Sequence, residues 1–148
     1  MSQWKFEEKI KAIERVKKTL PTILGNMALN HFIKSFDDSG FTDYTLNKWR
    51  PRKRQGRGKK GRIKSVGSRA LLVKSGRLKR SIKLKNKTFS LIKISSSLPY
   101  SEIHNEGLMG KAWGKHSFKM PKRQFIGDSG KLRKQILNEI EKTFNSIL

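Results

Sequence analysis

The chain of 148 residues has the length of one ordinary domain, and its 34% hydrophobic content supports one compact core. It has no cysteine, which excludes disulfides, thiolate metal sites and Cys nucleophiles, and no apolar run of about eighteen residues that could cross a bilayer. Its formal charge of +24 at pH 7, from 35 basic and 11 acidic residues, implies a strongly anionic neighbour: nucleic acid, an acidic protein surface, or both.

The opening Met1-Ser2-Gln3-Trp4-Lys5-Phe6-Glu7 lacks the basic and apolar regions of a signal peptide, so the chain is expected to be made and kept in a cytoplasm. From Trp4 to Lys18, Phe6, Ile10, Ile13 and Val16 recur at helical spacing and predict an amphipathic helix. Pro21 cannot continue a helix from behind, so Leu20-Pro21 is expected to kink or restart the chain before a second helix. That helix runs to about Phe36 and buries Leu24, Met27, Ala28 and Phe32. Asp37-Asp38-Ser39-Gly40 reads as a helix stop and turn. Phe41, Tyr44, Leu46 and Trp49 then supply anchors in an otherwise irregular segment.

No Asp or Glu occurs between Asp43 and Glu102. The densest basic part holds Arg50, Arg52, Lys53, Arg54, Arg57, Lys59, Lys60, Arg62 and Lys64, interrupted by Gly56, Gly58 and Gly61, and reads as a self-repelling loop over 50–67. It lacks the order of a nucleotide-binding P-loop. Its Arg and Lys side chains suit phosphate contact that ignores base sequence.

Ser75-Gly76-Arg77-Leu78 suits a turn in which Gly76 takes a positive φ and Leu78 enters the core. From Ser81 to Ser95, Ile82 and Leu84 alternate with Lys83 and Lys85, Asn86-Lys87-Thr88 can turn, and Phe89 to Ile94 is a second β-rich run, which predicts a hairpin. Leu98-Pro99-Tyr100 opens a short helix over Ser101 to Asn105, with Gly107 as a left-handed cap. A flexible, Gly-containing link leads to Lys115–Met120. Pro121 then sets an extended approach that buries Phe125, and Arg123 to Gly127 is expected to form a last strand. Asp128-Ser129 is an N-cap for a helix striped by Leu132, Ile136, Ile140, Phe144 and Ile147. The sum is an α+β class: a small antiparallel sheet flanked by amphipathic helices at both termini, with a long basic loop, expected as one domain over 1–148 divided at 4–36, 50–67, 70–127 and 128–148.

Catalysis and metal binding find little footing. His31, His104 and His116 have no Cys partners and no H-x-x-x-H spacing. Glu102, His104 and Glu106 invite a nuclease reading, but on a short helix they point in different directions. Tyr44, Trp49 and Phe89 lie near enough to the basic tract to stack on bases, yet thirteen aromatics are no excess for this length and core roles are expected. No catalytic residue, metal ligand or cofactor is assigned.

Three blocks stand in fixed order: Leu71-Leu72-Val73-Lys74-Ser75-Gly76-Arg77-Leu78-Lys79-Arg80-Ser81-Ile82, Tyr100-Ser101-Glu102-Ile103-His104-Asn105-Glu106-Gly107, and Met120-Pro121-Lys122-Arg123-Gln124-Phe125-Ile126-Gly127. They resemble the virion morphogenesis family of tailed phages, whose members are neck or tail-completion proteins. The resemblance implies a small antiparallel sheet with flanking helices. It assigns packing or subunit contact to Tyr100, Ile103, His104 and Gly107, and fold-defining roles to Ser75, Gly76, Leu78, Pro121, Arg123, Phe125 and Gly127.

It further implies a non-enzymatic subunit of the head-tail junction, by analogy a six-fold ring through which DNA passes, sited in the virion after synthesis in the bacterial host cytoplasm. The implied partners are other copies of the chain, the connector or portal-side proteins, the tail tube protein and DNA without sequence preference; no membrane is implied. A stand-alone, sequence-independent nucleic-acid-binding protein accounts equally for the charge but not for the three ordered blocks. A hydrolase of nucleic acid using Glu102 or His104 is a distant third reading.

Overall fold

A computed structural model describes residues 3–51, 70–112 and 114–147. The first element, α1, is a single helix, Gln3–Asp38, with Pro21 inside it, so the expected restart at Leu20-Pro21 does not occur. Proline forfeits the backbone bond to the carbonyl of residue 17 and strains the preceding turn. Packing offsets that loss. Leu20, Leu24, Ala28, Phe32 and Phe36 recur every fourth residue and are all buried, and Pro21 itself is buried, so a break here would pull this row off the body.

The N-terminal part of α1 differs. Trp4 is 74% exposed and Phe6 62%, and Ile10 and Ile13 are also exposed, so the amphipathic face read from the sequence is left largely open among the described residues.

The segment expected to be irregular is a small antiparallel hairpin. Strand β1, Gly40–Thr42, pairs with β2, Leu46–Lys48, and Trp49 N–H donates to Ser39 O at 2.8 Å to close its base. Phe41 and Trp49 are buried anchors, whereas Tyr44 and Leu46 are exposed. The exposed pair belongs to the turn end of this hairpin, where the Tyr44 ring lies over the outer side of Gly130.

Helix α2, Arg77–Ser81, precedes the second hairpin, with Gly76 before it at φ 67° and Leu78 buried. Strand β3, Ile82–Lys87, then pairs antiparallel with β4, Ile92–Ser96, with a register irregularity between Leu84 and Asn86. The turn lies at 88–91 rather than 86–88. Thr88 explains the shift, because its N–H donates to Leu91 O while its hydroxyl oxygen accepts from Leu91 N–H at 3.1 Å. Phe89 consequently sits exposed in the turn. Gly25 on α1 lets this hairpin dock: a Cβ there would lie 2.8 Å from a Leu84 methyl.

Helix α3, Ser101–Glu106, ends at Gly107, whose φ of 71° and N–H bond to Ile103 O match the expected left-handed cap. The anticipated flexible link is instead a third hairpin, β5, Met109–Ala112, with β6, His116–Lys119. No strand forms over Arg123 to Gly127. Helix α4, Gly130–Asn145, is capped as expected by Ser129, whose hydroxyl oxygen accepts from Leu132 N–H at 3.2 Å.

The described residues are thus α+β, but the strands form three separate two-stranded sheets rather than one. Two apolar clusters join them. One gathers Phe36, Trp49, Leu78, Ile82 and Phe125; the other holds Ala28, Phe32, Phe41 and Leu132. Phe36 sits at the hinge of the first, its ring centroid 5.6 Å from Trp49 and 5.1 Å from Phe125.

Candidate functional site

The three sequence blocks converge. Leu78 and Ile82 from the first and Phe125 from the third share the Phe36–Trp49 core, and Trp49 Nε1–H donates to Gln124 O at 2.7 Å. The second and third blocks are joined through Asn105. Its Oδ1 accepts the N–H groups of Phe125 at 2.8 Å and Ile126 at 3.0 Å, and its Nδ2 donates to Ile126 O at 3.0 Å. One side chain thereby supplies the backbone partners that a neighbouring strand would have offered, and the third block can remain extended without a sheet.

Further ties fix the same junction. Arg123 N–H donates to His104 O at 2.9 Å. Gly107 passes so close to Lys122 that a Cβ would lie 2.8 Å from its backbone nitrogen. The side chain of Arg123, buried under the surface, donates from Nε and Nη2 to the carbonyl of Arg50 at 3.3 and 3.2 Å.

A cleft of about 340 Å³ opens where these blocks meet, lined by Leu72, Lys74, Ser75, Arg77, Leu78, Tyr100, His104 and Arg123. Its charged lining is entirely basic. Tyr100 meets His104 edge to face at a centroid distance of 6.0 Å, and His104 Nδ1 is buried with no hydrogen-bond partner among the described residues. Burial first, and then the nearby Arg123 charge, lower the His104 pKa from its usual 6.5, so at neutral pH the ring is uncharged. Neutral imidazole can offer Nδ1 as donor or acceptor, according to tautomer.

Of the residues read as fold-defining, Leu78, Arg123 and Phe125 are buried, Gly76 holds a positive φ and Ser75 lines the cleft; of those read as packing or subunit contacts, Gly107 holds a positive φ and Tyr100 and His104 line the cleft. Ile103 and Pro121 are half-buried, and Gly127 lies just before the α4 cap. Asn105 escaped the sequence reading, since nothing local marks it as a backbone partner of the third block, and Lys74 and Arg77 drew no attention among so many cations. Of the basic tract, Arg50 is exposed at its side chain while its carbonyl is bound by Arg123. Arg52, Lys53, Arg54, Arg57, Lys59, Lys60, Arg62 and Lys64 lie outside the described residues. Glu102 and Glu106 share α3 with His104, and no group of three metal-ligating side chains forms among the described residues.

Residues 44–145 match the model of the phage virion morphogenesis family, a span that contains all three blocks, the cleft and the whole of α4. The chain belongs to that family. Neither the curated proteins nor the solved structures supply a match. The family is structural rather than enzymatic, and it ties the chain to the building of a phage particle.

Proposed function

We propose that the chain is a neck or tail-completion subunit of the head-tail junction, assembled as a ring through which DNA passes. The observation that carries this reading is the family match over residues 44–145, which takes in all three blocks. The charge of +24 fits a subunit whose ring holds or guides DNA by summed positive potential without reading its sequence.

Ring closure needs a heterologous contact, in which one surface of a subunit meets a different surface of the next. The exposed apolar stripe at the start of α1, with Trp4, Phe6, Ile10 and Ile13, supplies one side of it. The connector or portal-side proteins and the tail tube protein are the other partners this position implies. Loss of the chain from an infecting phage, read by electron microscopy, is expected to leave filled heads and tails that fail to join, and expression in trans to restore them. Intact infectious particles formed without the chain would refute the proposal.

A further inference from the structure

The cleft between the three blocks has no place in that assembly reading, yet its lining is specific. Lys74 and Arg77 come from the first block, Tyr100 and His104 from the second, and Arg123 from the third. Neither Lys74 nor Arg77 has an acidic partner among the described residues: the three ion pairs there join Lys79 to Asp37, Lys122 to Glu106 and Arg133 to Asp128. The neutral His104 ring stands beside Lys74 and Arg77 in the lining, its Nδ1 buried without a hydrogen-bond partner among the described residues. Leu72, Leu78 and the Tyr100 ring make the rest of the wall apolar.

We propose that this cleft is a docking site for an acidic peptide segment of a partner protein, taking one Asp or Glu side chain with its carboxylate against Lys74 and Arg77 and its hydrocarbon stem against the leucines. The charge of the chain favours an anionic neighbour, and cations around an apolar floor match a carboxylate on an aliphatic stem. Duplex DNA fits less well, because it presents its phosphates on a convex surface and has no aliphatic stem for the apolar floor between these cations. The proposal is independent of where in the particle the chain sits.

The probe is a blocked tetraglutamate peptide titrated into the full chain, with the imidazole C–H signals of the three histidines followed by NMR. The site predicts a saturable shift at His104, with His31 and His116 nearly still, and a His104 pKa that rises when a carboxylate joins Lys74, Arg77, Arg123 and Tyr100 around it. Replacing Lys74→Ala and Arg77→Ala together should weaken the peptide by about tenfold or more, and the equal charge change Lys131→Ala with Lys134→Ala on α4 by less than about twofold. Both pairs lie at exposed positions, so unchanged thermal unfolding is expected for each. Equal weakening by the two pairs, an unsaturable response at His104, or a DNA duplex that shifts His104 at lower concentration than the peptide would each overturn it.

Discussion

Asn105 shows how a single side chain stands in for a strand. Removing it by Asn105→Ala strands the N–H groups of Phe125 and Ile126 and the Ile126 carbonyl beside a buried phenylalanine. At roughly 1–3 kcal/mol for each group left without a partner, and with water reaching some of them, the variant should lose about 2–3 kcal/mol in urea unfolding. A loss under about 0.5 kcal/mol would show that the third block holds itself. His31 and His104 make a second prediction. Burial lowers both pKa values from 6.5; Arg123 adds to the effect at His104, while at His31 the bond to Thr42 O opposes it and Lys131 and Lys34 add to it. Below 6.5 the unfolded chain therefore binds protons that the folded chain refuses. The resulting stability is complete above that pH and is lost as pH falls through it toward the lowered folded values. The urea midpoint should fall between pH of about 7.5 and 5.5, and the combined His31→Asn and His104→Gln variant should flatten that slope; equal slopes would contradict the assignment.

At the scale of elements, patterns carried by several side chains were legible and those carried by one partner were not. The Ser129 cap, the Gly107 cap and the Leu132–Ile136 stripe each announce themselves by local chemistry, and the structure has all three. The unbroken passage of α1 through Pro21 depends on burial of Leu20 to Phe36 against distant hairpins, which no local rule contains. The third hairpin hid because Gly110, Lys111, His116 and Lys119 interrupt its apolar pattern, and the third block is extended but bonded to Asn105 rather than to a neighbouring strand. The cleft was hidden for a related reason: Lys74, His104 and Arg123 meet only once the blocks fold together. The start of α1 yields a prediction of its own. Phe6→Glu with Ile10→Glu alters exposed positions, so monomer stability should change by less than about 0.5 kcal/mol, while light scattering should show the ring reduced to monomer. A ring that survives both changes would place the subunit contact elsewhere.

Over the whole molecule, positive charge is the dominant fact, with a formal +24 spread unevenly along the chain. Arg50 O is held by Arg123 and Trp49 is buried, so the described core is anchored up to residue 50 by its own bonds. Deleting residues 52–64 removes eight cations, and it should weaken DNA or connector binding and lower the salt dependence of that binding while leaving urea unfolding unchanged. Undiminished binding by the shortened chain at raised salt would sink this role for the tract. The central claim, that the chain is a part of the finished particle's neck, is tested most directly by quantitative mass spectrometry of purified virions, counting this chain against the portal protein. The account predicts a small, ring-like copy number, about six by analogy with cyclic assemblies. Absence of the chain from the particle would contradict it.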